Sequence, residues 1–359
     1  MKILYVMTGL GLGGAEKVVC DLADQMVKNG HTVKIAYLTG GKLVTPKSSD
    51  IEIIYLALNG INSFISASVK YRKLLKKFQP DVVHAHMVHA NIFTRLNRIV
   101  INVPRLICSA HSNNEGGRNR MLAYRLTHHL ADYTTNVSNN ACETFQQLKA
   151  VPKNDIHVVY NGVDINKFKY HANKNLQLNN EKIFVAVGRF HDAKDYPNLI
   201  QAFSLLLKNW NKFHVKLKII GQIDDVIYPD VNKLIYIKGL SDSVEIMGKR
   251  DDISILLSQA DFFVLSSKYE GLPTVVIEAM SSGTFVIGTD CGGTAEIMGD
   301  TGILVKSQNS QALAKAMQQA LSLSNEQVEV NNLQARKRIE ELFSLEKSVK
   351  KWLKIYRNE

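Results

Sequence analysis

Two rhythms of apolar and polar positions alternate along the chain. Short runs rich in Ile, Val, Leu and Phe are separated by longer stretches in which apolar residues recur every three or four positions. The runs predict strands at 2–7, 32–38, 52–56, 82–84, 105–109 and 133–137 in the first half. In the second half they predict strands at 183–188, 215–220, 244–247, 262–265, 285–288 and 302–305, with helices between. Continuous apolar runs, each followed by a helical stretch, indicate parallel sheets covered on both faces, an α/β architecture. Twelve such strands exceed what one sheet with a single switch point accommodates, so two doubly wound, Rossmann-like domains are expected.

A polar stretch without periodicity, INKFKYHANKNLQLNNE, reads as a linker. The expected organisation is a first domain at 1–164, a linker at 165–181, a second domain at 182–340 and a helical tail at 341–359. In that tail Leu345, Val349, Trp352, Leu353 and Tyr356 share one helical face, fit to cap either domain, including by a return to the first.

Composition narrows the class. With 45% hydrophobic and 21% charged residues, the chain has the balance of an ordinary folded protein, and disorder is excluded as its main state. Four scattered cysteines, Cys20, Cys108, Cys142 and Cys291, form no CxxC pair and fit a reducing cytoplasm. The opening MKILYVMTGLGLGG reads as a first strand rather than a signal peptide, and no apolar run reaches membrane-spanning length. Charge is uneven. Residues 1–165 carry 19 Lys and Arg against 11 Asp and Glu, most of the formal net charge of +11. The first half therefore suits an anionic partner such as a phosphorylated substrate or phospholipid headgroups.

Two stretches carry candidate chemistry. Gly9-Leu-Gly-Leu-Gly13-Gly14 lies between a strand and a helix and matches G-x-G-x-x-G. The second strand, however, ends in Leu38-Thr39-Gly40-Gly41, without the acidic residue that would hold a nicotinamide-cofactor ribose. A nicotinamide dehydrogenase is disfavoured. A structural tight turn, or a loop touching a diphosphate or sugar, remains. The second stretch is 261–298, where a buried strand runs into Glu270-Gly271-Leu272-Pro273 and a helix over about 273–282, stopped by Gly283. The first amides of that helix, at Thr274 and Val275, would lie at the carboxyl end of a parallel sheet and form a ready diphosphate site. Glu270 and Glu278 flank that terminus, spaced for ligand hydroxyls on both sides of a diphosphate.

These residues resemble the retaining, two-domain GT-B glycosyltransferases, in particular family 4 of the sugar-nucleotide transferases. Glu270-Gly-Leu-Pro with Glu278 resembles the E-x7-E signature, and nearly the whole chain follows the same order of motifs. Gly13-Gly14-Ala15-Glu16, Pro80-Asp-Val-Val-His-Ala-His86, Asn161-Gly-Val-Asp164 and Gly188-Arg-Phe through Lys194 take their places in it. The resemblance implies a fold of two domains facing a cleft, and transfer of a sugar from a nucleotide-sugar, a UDP-sugar by class. Arg189 and Lys194 would grip the donor diphosphate, with Gly13, Gly14, Thr274 and Val275 contributing to the same site. Glu278 would hold the ribose, Glu270 the sugar hydroxyls, and His111 would face the transferred sugar; Glu270 and His111 are the implied catalytic residues. Lys249 and Arg250 would lie near the nucleobase. No cofactor and no metal are implied. Asp195 departs from the pattern, which has glycine after the lysine.

His84, His86 and His89 lie together in HAHMVH, with no fourth metal ligand nearby in sequence, so packing or cleft lining is the expected role. Residues 64–78, FISASVKYRKLLKKF, are amphipathic. Tyr71, Leu74, Leu75 and Phe78 form an apolar face, with Lys70, Arg72, Lys73, Lys76 and Lys77 around it. Cytoplasmic leaflets attract such cations at about 1 kcal/mol each. Peripheral attachment to the inner face of the cytoplasmic membrane is expected, with an acceptor carried on polyprenyl diphosphate in surface-glycan synthesis (O-antigen, capsule or glycoprotein glycan). A solvated basic helix packed on a core is the plainer reading. No nucleic-acid reader motif occurs. Two rivals stay open, a sugar-nucleotide epimerase on the same fold and a non-catalytic nucleotide-sugar-binding protein.

Overall fold

The structure is a computed structural model and describes residues 1–113, 115–171 and 181–359. The chain divides into two compact units, Met1–Gly162 with Leu345–Glu359, and Val163–Ser344.

The first unit alternates strands and helices: β1 (Lys2–Met7), α1 (Gly14–Lys28), β2 (Thr32–Tyr37), β3 (Glu52–Tyr55), α2 (Phe64–Phe78), β4 (Val82–His86), α3 (Val88–Arg98), β5 (Leu106–Ser109), α4 (Arg118–Thr127), β6 (Tyr133–Asn136), α5 (Asn139–Gln147) and β7 (His157–Val158). All pairings are parallel, in the order β3-β2-β1-β4-β5-β6-β7. Alternate residues of β1 serve opposite faces. Ile3, Tyr5 and Met7 pack under α1 and the C-terminal helix, while Leu4 and Val6 pack under α2 and α3. β7, two residues long, is too short to leave a periodic signal and was not expected from the sequence.

The C-terminal helix, Leu345–Arg357, packs on this first unit. Leu345, Val349, Trp352 and Tyr356 enter its core. The Tyr356 hydroxyl lies 3.1 Å from that of Tyr5 and 2.8 Å from His84 Nδ1. From there a buried polar chain continues through His84 Nε2 to Ser109 Oγ (2.7 Å) and on to Thr135 Oγ1 (2.6 Å).

The second unit holds β8 (Glu181–Val187), α6 (Tyr196–Lys208), β9 (His214–Ile220), α7 (Ile227–Ile237), β10 (Val244–Gly248), α8 (Ile253–Gln259), β11 (Phe262–Leu265), α9 (Thr274–Ser281), β12 (Phe285–Asp290), α10 (Thr294–Met298), β13 (Ile303–Lys306), α11 (Ser310–Ser322) and α12 (Asn325–Leu342). Its parallel sheet runs β10-β9-β8-β11-β12-β13. The start of the expected linker belongs to this unit. Phe168 is buried, and Val163 donates to the Phe343 carbonyl. The Arg336 guanidinium holds the carbonyls of Phe168 and Ser281 at 2.8 Å each. The polar composition that reads as a loose connector is a strap whose carbonyls an arginine satisfies. The remainder of that segment, 172–180, lies outside the described residues.

Removing the Trp352 ring opens the face on which the C-terminal helix sits. Trp352→Ala is expected to destabilise the first unit by about 3–5 kcal/mol in urea unfolding, whereas Lys354→Ala, on the exposed side, changes it by no more than about 0.5 kcal/mol.

Candidate active site

In the second unit the chain steps from β8 outward through β9 and β10, then returns to place β11 on the other side of β8. The order therefore reverses between β8 and β11, and the carboxyl ends of strands at such a reversal are where doubly wound sheets take their ligands. Both candidate loops leave from there, 188–195 after β8 and 266–273 after β11. They are tied together. Lys268 donates its backbone N–H to the Ala193 carbonyl (2.8 Å), and Ser266 Oγ donates to the Lys194 carbonyl (2.7 Å). On the outer side Lys268 Nζ and Tyr269 Oη both reach the Asp192 carboxylate at 2.7 Å.

At the centre Lys194 Nζ meets Glu270 Oε1 at 2.6 Å, and Ser267 Oγ donates to the same oxygen at 2.7 Å. Both side chains are mostly enclosed, so the pair holds its geometry better than a surface pair. Among the described residues no hydrogen bond reaches Oε2. The peptide behind Glu270 is backed by the turn at Gly292-Gly293. Gly293 donates to the Gly271 carbonyl (2.9 Å), and Gly292 has φ +55° where a Cβ would strike the Glu270 carbonyl.

The helix α9 begins one residue later than the sequence suggests. Pro273 has ψ 97° and stands before the helix as its cap, so Thr274 is the first helical residue, and Gly283 at φ +71° ends it. The first-turn amides of Thr274 and Val275 have no partner within the helix. Glu278, one turn further in, is 5% exposed on the same helix. Arg189 is exposed beside Gly188. Asp195, the departure from glycine, adopts φ +48°, the left-handed conformation that glycine takes freely and Asp tolerates, so the turn is kept. Lys249 and Arg250 follow β10 and are exposed; Asp252 grips the Arg250 guanidinium at 2.6 and 2.9 Å, so that cation is already engaged.

In the first unit the sheet order reverses between β1 and β4, and the glycine loop leaves β1 there. Gly13 caps α1, but the Glu16 carboxylate folds back to where a Gly13 Cβ would sit. The loop thus carries an acidic side chain beside its glycines.

His111 follows β5. Its backbone N–H donates to Glu115 Oε1 (2.9 Å), and its Nε2 lies 3.0 Å from His86 Nδ1. Tyr124 Oη donates to Glu115 Oε2 at 2.5 Å. The His84 and His86 rings lie tilted against each other with centroids 3.9 Å apart. Among the described residues no three His, Cys, Asp or Glu side chains converge as metal ligands. Glu115, Ser266, Ser267 and the His86–His111 contact gave no signal in the sequence, because the backbone course that turns these side chains to their partners exists only in the folded loops.

The two halves match two family models, residues 12–167 that of Glycosyltransferase Family 4 and residues 167–341 that of Glycosyl transferases group 1. The chain belongs to the family 4 glycosyltransferases. N-acetyl-alpha-D-glucosaminyl L-malate synthase of Bacillus anthracis is 25% identical to it, covering 96% of this chain and 94% of its own. A Campylobacter jejuni N-acetylgalactosamine-N,N'-diacetylbacillosaminyl-diphospho-undecaprenol 4-alpha-N-acetylgalactosaminyltransferase is 24% identical over 89% of this chain and 90% of its own. In structure, Anabaena HepE in complex with UDP superposes with a TM-score of 0.84 over the full length of both chains at 19% identity, which establishes the GT-B fold.

In this glycosyltransferase α2 turns Ala67, Tyr71, Leu75 and Phe78 into the core, and Leu74 is only partly covered. Lys70, Lys73, Lys76 and Lys77 are exposed, and Arg72 is partly covered. Beside them stand Ile61, Ile65 and Val69, which are 93%, 75% and 41% exposed. No helix among the described residues is long and apolar enough to cross a membrane.

The enclosed histidines make the glycosyltransferase acid-sensitive. Burial holds His84 and His86 well below the usual imidazole range and His111 down to about 4. The unfolded chain takes up these protons near pH 6.5, so stability falls as the pH drops from 6.5 towards 4, by roughly 3 kcal/mol for His111 alone. Glu115, pushed up to about 6 by burial, opposes this and returns roughly 2 kcal/mol between pH 6 and 4.5. The urea midpoint of the first unit is expected to fall between pH 7 and 5, and to fall more steeply in Glu115→Gln.

Proposed function

We propose that this glycosyltransferase binds a UDP-sugar on its second unit and transfers the sugar, with retention and without a metal ion, to a glycan on polyprenyl diphosphate. The observation that carries the reading is the Lys194–Glu270 pair beside the start of α9, at the switch point of the sheet. Arg189, Lys194 and the amides of Thr274 and Val275 supply positive charge for the diphosphate, Glu278 accepts from the ribose, and Lys249 lies nearest the base. Glu270 accepts from a sugar hydroxyl, and His111 makes a hydrogen bond to the same sugar. Cations and a helix terminus already supply what a divalent ion would offer the leaving group.

In the transfer, the bond from the anomeric carbon to the β-phosphate oxygen breaks and its electron pair leaves with the nucleoside diphosphate. The acceptor hydroxyl attacks the oxocarbenium-like carbon from the side of departure, and its proton passes to the departing phosphate oxygen. The UDP complex of the Anabaena neighbour supports the donor class, and the diphospho-undecaprenol substrate named for the Campylobacter relative supports the acceptor class. The exposed lysines of α2, with Ile61 and Ile65 beside them, support peripheral attachment to an anionic bilayer, the inner face of the cytoplasmic membrane.

Hydrolysis of UDP-, GDP- and ADP-sugars in EDTA tests the donor site. One UDP-sugar is expected to turn over, with Glu270→Ala and Lys194→Ala each reducing the rate about 100-fold or more. Absence of both turnover and binding across the panel would overturn the assignment. In sedimentation with vesicles, binding is expected with phosphatidylglycerol and absent with phosphatidylcholine alone. Replacing Lys70, Lys73, Lys76 and Lys77 by Ala is expected to abolish it.

A further inference from the structure

One oxygen of Glu270 carries all of the carboxylate's contacts. Oε1 meets Lys194 Nζ at 2.6 Å and accepts from Ser267 Oγ at 2.7 Å. Oε2 has no hydrogen bond among the described residues and is open to solvent, on a side chain that keeps 16% of its surface exposed.

The two donors to Oε1 differ in what they impose. A lysine ammonium is a point charge on a flexible stem and sets no direction for a carboxylate. The last torsion of a glutamate is broad, so an ion pair alone would let the carboxylate swing. The Lys194 stem does run close across Gly188, where a Cβ would come within 2.6 Å of Lys194 Cε. Ser267 supplies the direction. It is fully buried, and its carbonyl accepts from Thr289 Oγ1 at 2.7 Å, a hydroxyl of β12 that is equally buried. The backbone that carries the serine is therefore tied to the sheet. Serines in loops often spend their hydroxyls on nearby backbone groups; this one spends its hydroxyl on the Glu270 carboxylate. Two donors from different residues pin Oε1. A carboxylate is planar, so fixing Oε1 relative to Cγ and Cδ fixes Oε2 as well.

We propose that Ser267 is a positioning residue, whose hydroxyl holds Oε1 of Glu270 beside Lys194 and so presents Oε2 as the acceptor for a hydroxyl of the transferred sugar. The sugar contact rests on the function proposed above; the orientation of the carboxylate does not.

Hydrolysis of the UDP-sugar in EDTA, read beside calorimetric titration with UDP, tests the role. Ser267→Ala is expected to lower kcat about tenfold, the loss of one hydrogen bond to a charged group. The Kd of UDP should stay within about twofold, because UDP has no sugar for Oε2 to meet and only a hydrogen bond remote from it is lost. Ser267→Thr, which keeps the hydroxyl, should return kcat to near the wild-type value. Undiminished kcat in Ser267→Ala would overturn the proposal. So would a Kd of UDP that rises as far as kcat falls, since that marks a general loss of loop order. If Ser267→Ala fails to fold, Ser267→Cys decides the matter, because a thiol of similar volume is a weak donor and the same loss of about tenfold is expected. Undiminished hydrolysis by Glu270→Ala would overturn the sugar contact and the role of Ser267 with it. A loss in Glu270→Ala beside wild-type kcat in Ser267→Ala would refute the role of Ser267 alone.

Discussion

A parallel sheet that winds outward in both directions from its first strand leaves the carboxyl ends of two neighbouring strands uncovered, and both units here are built on that constraint. In the second unit the uncovered ends belong to β8 and β11. Arg189, Lys194 and Glu270 lie on the two loops that follow them. The structure fastens them to each other through the Lys268 amide, the Ser266 hydroxyl, the Lys268 and Tyr269 side chains on Asp192, and the Lys194–Glu270 pair. The last of these also presents a cation and a carboxylate to whatever enters.

The first unit solves a different problem. Its central strand β4 is buried on both faces yet carries two histidines, and a buried imidazole with unmet nitrogens is costly. His84 is satisfied by Tyr356 from the C-terminal helix and by Ser109 from β5, so the last helix is bound to the sheet by a polar chain as well as by Trp352. His86 instead leans on His111. The polar interior of this unit thus holds two separate sets of contacts, one reaching the C-terminal helix and one reaching the loop after β5.

Glycines show how local pattern and tertiary setting part company. The run Gly9 to Gly14 matches a phosphate-binding motif by spacing, and the Glu16 carboxylate folds back to where a Gly13 Cβ would sit. Gly292, in an unremarkable turn, is required by the Glu270 carbonyl behind it.

By itself the sequence determined the architecture. Continuous apolar runs and 3.6-residue periodicity are local signals, and twelve strands emerged near their true bounds; only the two-residue β7 lacked one. It also determined the ends of α9 to within a residue, because Pro273 and Gly283 act on their own backbone. Tertiary structure decided which side chains meet. Arg336 with the carbonyls of the supposed linker, Ser266 with the Lys194 carbonyl and His86 with His111 are contacts between segments remote in sequence or on separate loops. Tertiary structure also decided where the last helix docks. Its apolar face fitted either unit, and in the structure it lies on the first, where Trp352 enters the core and Tyr5 and His84 meet the Tyr356 hydroxyl. Period and turn chemistry are written into neighbouring residues, whereas hydrogen-bond partners and burial exist only once distant strands lie side by side.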